Sequence, residues 1–199
     1  MLRHAIVASL CLLVAISTAH AGGPRDHEPG FFLRLSTGVG GAKTERDASV
    51  DLKFSGFAGD TNLAIGGTLT RNLALHATLF GWTVGDPTFE SNGVEAELNN
   101  SDLTLGAFGM GITYYFMPIN LYLSPSIGFG GLSLDVPLGD GESETGVALD
   151  LTVGKEWWVS NRWALGVAGG LGLHAIPDND VSQDWEGVSF AIRFTSTFN

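Results

Sequence analysis

Few side chains in this sequence could carry out catalysis. The only cysteine is Cys11, and the two histidines that invite a catalytic reading are His76 and His174. A hydrolytic site needs a nucleophile–base pair or an Asp–His arrangement in which a third group orients the base. His174 is followed by Asp178, Asp180 and Asp184, but no His-x-Ser pattern accompanies it, and His76 falls toward the opposite end of its own segment. The expectation is therefore no catalytic residue, no enzyme and no cofactor. Carboxylates are far more abundant, 21 against 10 basic residues, and they gather in three stretches. These hold Asp86, Glu90, Glu95 and Glu97; then Asp135, Asp140, Glu142 and Glu144; then Asp178, Asp180, Asp184 and Glu186. Oxygen ligands at that density suit Ca²⁺ or Mg²⁺, and divalent cations at these acidic loops are one expectation. None of the stretches follows an EF-hand pattern, so no metal-ligating residue is assigned, and a solvated, self-repelling loop face is the plainer alternative.

The elements that would position such groups begin with an export segment. Arg3 and His4 form a short positive head, Ala5 to Thr18 is apolar, and Ala19-His20-Ala21 fits small-x-small cleavage before Gly22. The apolar run is shorter than the ~20 residues of a spanning helix. Residues 1–21 are thus expected to be a cleaved signal peptide and 22–199 one barrel domain. Cys11 lies in the signal, with Leu10 before it instead of the small residue a lipoprotein needs. The mature chain then has no thiol, which excludes disulfides and thiolate chemistry. Loss of Arg3 makes the mature charge one unit more negative than −11. Nucleic acid, whose phosphates need a basic surface, is excluded as a partner. No apolar run after residue 21 reaches 18 residues, so any membrane crossing must use strands.

Period-two alternation runs through four long segments. Three of them contain a short turn: Arg71-Asn72, Pro118-Ile119-Asn120 and Ser160-Asn161-Arg162. Alternation resumes at once after each, and the turns recur roughly every 45 residues, as repeated hairpins would. Eight strands are expected near 30–41, 60–70, 72–84, 102–116, 120–134, 146–158, 162–174 and 187–198. Tight turns at one end and long acidic loops at the other predict an all-β fold: a single antiparallel up-and-down transmembrane β-barrel of about eight strands.

Composition decides which face is inside. On the third strand Leu73, Leu75, Ala77 and Leu79 oppose Ala74, His76, Thr78 and Phe80; on the last, Phe190, Ile192, Phe194 and Phe198 oppose Ala191, Arg193, Thr195 and Thr197. A water-bathed face would carry many Lys and Glu. Gly, Ala and Thr with an occasional charge suit a confined interior, which puts the apolar face outward in lipid. Inward parity predicts Arg34, His76, Asp150, Glu156 and Arg193 as lumen groups. Buried charges there must pair, so Arg34 and Arg193 are matched with Asp150 and Glu156; a charged constriction in a small pore is the alternative. Outward parity at the turn end predicts a periplasmic aromatic girdle of Phe31, Tyr115, Trp157, Trp163 and Phe198. Lys155, beside Trp157, can snorkel to that boundary. Pro125 cannot donate to a ladder, so a bulge or local irregularity is expected in the fifth strand.

The pattern over residues 30–199 resembles the small eight-stranded outer-membrane barrel family of outer membrane protein A-like and X-like type. Its most specific element is the terminal strand Val188 to Asn199, similar to the signal by which such barrels are recognised for insertion. The family usually ends in an aromatic, which here is displaced to Phe198. The resemblance implies residence in the bacterial outer membrane, with lipid, lipopolysaccharide and, through that strand, the barrel-insertion machinery as partners. It implies a non-enzymatic structural or surface-interaction role. A narrow, porin-like channel for small or apolar solutes is the alternative, and an adhesin resting on loop length is a third.

Overall fold

A computed structural model describes residues 25–46, 51–137, 139–178 and 183–199. The expected signal peptide, and Asp180 of the last acidic stretch, lie outside the described residues. Among the described residues eleven strands form in chain order: β1 (Gly30–Arg46), β2 (Leu52–Thr70), β3 (Leu73–Gly85), β4 (Thr88–Ser91), β5 (Val94–Glu97), β6 (Asp102–Phe116), β7 (Leu121–Val136), β8 (Gly139–Glu142), β9 (Gly146–Trp158), β10 (Trp163–Pro177) and β11 (Asp184–Phe198). Eight of them make the wall in the order β1-β11-β10-β9-β7-β6-β3-β2, and β1 pairs β2 to close the ring. All the pairings are antiparallel. Closure leaves no wall strand with an unpaired edge.

The remaining three strands are loop hairpins. β4 and β5 pair with each other and extend β2 above the ring, and β8 folds back on β7. The first two wall strands run well beyond their expected ends, to Arg46 and from Leu52. Pairing such as Thr44 with Phe54 continues through the polar residues there, because two strands in register satisfy each other's backbone whatever their side chains are.

Two of the three asparagines in the short turns adopt left-handed backbone, Asn72 at φ 65° and Asn120 at φ 53°, a conformation asparagine tolerates better than most residues. The irregularity expected at Pro125 takes a mild form. Ladder pairs between β6 and β7 lapse opposite Ser124 and Pro125, then resume in unchanged register at Tyr114–Leu123. A register shift does occur, but in β2 between Thr68 and Thr70.

Outward positions form a continuous apolar band: Leu35, Ile65, Leu79, Phe108, Ile127, Leu151, Val167 and Ile192 are all exposed. A shallow concavity of about 1,210 Å³ lies along this outer wall. There Thr37, Thr61, Gly81 and Gly106 stand side by side on four adjacent strands.

Inward positions are filled. Several large lumen side chains rest on a glycine of the neighbouring strand, where a β-carbon would collide with them. Tyr122 lies over Gly154, Glu156 over Gly166, His76 over Gly111, His174 over Gly187 and Arg193 over Gly170. The small residues that marked the interior face in the sequence are the seats of its large ones.

Candidate functional site

The lumen is built in layers. At mid-depth Arg193 of β11 reaches two acids from other strands, Asp60 of β2 and Asp150 of β9. Its Nε donates to Asp60 Oδ1 at 2.5 Å and Nη2 donates to Asp60 Oδ2 at 2.8 Å. Nη1 and Nη2 donate to the two Asp150 oxygens at 3.1 and 2.6 Å, and Nη1 also donates to Thr152 Oγ1 at 2.6 Å. All five guanidinium N–H groups are used. Asn62 and Thr152 donate to Asp150 as well, and Thr78 donates to Asn62. All these residues are buried, so the layer crosses the lumen as one connected polar plate.

A second layer lies nearer the turns. Arg34 Nη2 donates to Ser124 Oγ at 2.7 Å; Ser124 bonds Thr113, and Thr113 bonds His76. The guanidinium carbon of Arg34 sits 4.6 Å from the Tyr122 ring centre and 5.7 Å from that of Phe32. Glu156 takes hydrogen bonds from Thr197 at 2.6 Å and Thr195 at 3.4 Å. The five expected lumen charges are therefore all inside, but their pairing differs in part. Arg193 pairs with Asp150 and also with Asp60. Arg34 makes no direct ion pair with Glu156, because the tyrosines of β6 and β7 occupy the space beside them. Asp60 was missed because it stands at the expected start of the second strand. Its spacing to Asn62 and Ala64 carries the inward parity that would have found it.

The turn end is sealed by residues before the first strand. His27 has no exposed surface. Its ring stacks on Tyr115 with centres 3.6 Å apart and lies 4.8 Å from Trp158. Its backbone N–H donates to Asn72 Oδ1, and Asn72 N–H donates back to the His27 carbonyl. The ring nitrogens lie 3.1 Å from the side chains of Asn199 and Asn120. A neutral ring fits this cage when Nδ1–H donates to Asn199 and the Asn120 amide is turned so that its otherwise unpartnered Nδ2 donates to Nε2. Asn199 also donates to the Glu28 and Phe31 carbonyls and to Thr68. The residue that displaced the terminal aromatic is thus an inward cap.

Burial is the main influence on His27 and holds its pKa below 6.5. When the strap of residues 25–29 is released, His27 takes up its proton near the ordinary value, whereas the docked ring resists. Docking is therefore strongest above about pH 6.5 and weakens as the pH falls below it. Hydrogen-exchange protection at the His27 and Asn72 amides is expected to fall between pH 7.5 and 5, and a His27→Gln variant should show no such dependence.

Four of the five girdle residues face outward at this end. Phe31 is 52% exposed and Trp157 52%, while Trp163 and Phe31 pack on Phe198 at 5.3 and 6.1 Å. The fifth is a correction. Tyr115 is 1% exposed and points into the lumen, and its outward neighbours Tyr114 and Phe116 carry the aromatic surface of β6. The parity of Leu103, Leu105 and Ala107, all inward, continues to Tyr115. Lys155 is held at this level by donating to the Ile119 carbonyl, with Nζ 5.5 Å from the Trp157 ring centre.

The opposite end is apolar inside. Phe54, Trp82, Val84, Leu103, Leu105, Leu132 and Ile176 form one buried cluster, joined by Phe89, Leu134 and Trp185. A cavity of about 270 Å³ opens above it, rimmed by the Arg46–Asp178 pair. His174 Nε2 lies 3.0 Å from Thr44 Oγ1, and Trp185 donates to Asp178. The described residues offer no carboxylate to orient His174 and no set of three His, Cys, Asp or Glu side chains converging on a metal.

No protein-family model matches this chain, and no curated protein matches it in sequence. Solved structures do match. The neisserial surface protein NspA is 14% identical, with a TM-score of 0.59 over 86% of this chain and 99% of its own. The attachment invasion locus protein Ail of Yersinia pestis, in complex with sucrose octasulfate, is 11% identical over 86% of this chain and 100% of its own, at 0.47. OprG of Pseudomonas aeruginosa is 9% identical over 86% and 98%, at 0.46. The closed antiparallel ring of eight strands, matched along nearly all of NspA, is the fold of the small eight-stranded outer-membrane barrels.

Proposed function

We propose that this chain is a non-enzymatic barrel of the bacterial outer membrane, exported by a cleaved signal peptide, with a structural or surface-interaction role and a lumen that does not conduct. The observation that carries this reading is the Arg193–Asp60–Asp150 plate, which spans the interior with every guanidinium donor engaged. The Arg34 and Glu156 layer and the His27 seal lie in series below it. An ion would have to break charge-assisted hydrogen bonds among buried side chains to pass. Membrane residence follows from the outward apolar band, which water would not tolerate at this extent. Contacts with the outside then fall to the loop end, where an apolar cup and acidic hairpins meet solvent.

The test has two stages. The purified mature chain, folded in detergent, should show a β-type circular dichroism spectrum and a band whose mobility changes on boiling. In planar bilayers it should give no steady openings. Regular single-channel steps would instead support the narrow-channel reading, and a β protein stable in water without detergent would overturn the membrane reading itself.

A further inference from the structure

At the turn end a cavity of about 310 Å³ opens beside the seal, between the strap and the turn joining β9 to β10. Arg25, Asp26, Glu28, Arg162 and Asn199 supply its polar lining, and Phe31 and Phe198 its wall toward the girdle. The four charges are not equally free. Arg25 is bonded to Asn161 and packs over Trp158, with Cζ 4.7 Å from the ring centre. Asp26 accepts from Asn72 and lies 3.9 Å from Arg71. Arg162 and Glu28 remain: both are exposed, and neither makes an ion pair with a described residue. Arg162 is nonetheless placed, with its guanidinium carbon 5.9 Å from the Phe198 ring centre. The strap backbone at Glu28 and Phe31 is held by Asn199.

A site that presents one cation and one anion, unpaired with each other and beside an aromatic wall open to lipid, is complementary to a ligand with the same two charges and an apolar tail. We propose that this cavity binds the headgroup of a zwitterionic phospholipid of the periplasmic leaflet, with the phosphate on Arg162 and the ammonium on Glu28. The acyl chains run along Phe31 and Phe198. Guanidinium suits phosphate through paired donors, and the girdle fixes the headgroup level. The assignment rests on the membrane reading above and on the tight turns being periplasmic.

The experiment uses the full mature chain folded in detergent, with native mass spectrometry counting bound lipid. Short-chain phosphatidylethanolamine, short-chain phosphatidylglycerol and free phosphoethanolamine are the probes. The expected result is one phosphatidylethanolamine retained per barrel, bound more tightly than either other probe. Arg162→Gln should weaken both lipids by about tenfold, as for loss of one charge-assisted contact. Glu28→Gln should weaken phosphatidylethanolamine alone and so erase the preference. Equal binding of the two lipids by the wild type, or unchanged binding in both variants, overturns the site. Free phosphoethanolamine binding as tightly as the lipid overturns the lipid assignment in favour of a soluble phosphoester. Both variants keep the lumen layers, so a heat-modifiable band serves as the folding control. If the wild type lacks that band, the membrane reading fails and not merely the site.

Discussion

Replacing Arg193 with methionine is expected to destabilise the barrel by about 3–5 kcal/mol, the usual effect of removing one partner from a buried ion pair. The variant leaves Asp60 and Asp150 facing each other in the lumen with no cation between them, and it removes five hydrogen bonds at once. The buried layer would then hold like charges with nothing to offset their repulsion. The readout is the temperature at which the folded, fast-migrating band disappears in detergent. The triple variant Arg193→Met, Asp60→Asn, Asp150→Asn should recover most of the loss, because it removes the stranded charges together with their partner. An unchanged transition in Arg193→Met alone would show that the plate does not hold the wall together.

The second large effect is expected at Gly170 and not at its neighbour Gly169. A β-carbon at Gly170 would lie 2.4 Å from Arg193 Cζ and 2.7 Å from Nη1, whereas one at Gly169 meets nothing within 4 Å. Gly170→Val must therefore push out a guanidinium fixed by all five donors, at a cost of about 1–3 kcal/mol or somewhat more. Gly169→Val places the same side chain against lipid and should stay within about 0.5 kcal/mol of the parent. Combined with Arg193→Met, the Gly170→Val effect should largely vanish, since the group it displaces is gone. Additive losses in the double variant would mean that Gly170 matters for backbone reasons unrelated to Arg193.

These two experiments also mark what could be read from the chain alone. Strand number, turn positions and facing follow from a period of two, because each strand meets lipid on one side and its neighbours' side chains on the other. That rule placed Arg34, His76, Asp150, Glu156 and Arg193 inside without any knowledge of distances. It could not pair them, since pairing across a lumen depends on stagger between strands far apart in sequence. Arg34 and Arg193 are set against Asp150 and Glu156 on charge alone, whereas Tyr122 stands beside Arg34. Tyr115 itself went astray because one aromatic among Tyr114, Tyr115 and Phe116 shifts parity without changing composition. His27 gave no periodic signal, lying before the first strand. The asparagines that hold it were visible only as turn formers, although Asn72 and Asn120 serve both purposes.

Arg193 ties the last strand of the wall to two distant ones by charge. Asp60 lies on the second strand and Asp150 on the sixth wall strand, but the cation that neutralises them arrives on the final one. Without Arg193, Asp60 and Asp150 would be two like charges in one buried layer with no cation between them. On β11, Phe190, Ile192 and Phe194 face outward while Arg193 turns inward and attracts both acids at once. The strand that completes the seam therefore also carries the electrostatic latch that keeps it shut.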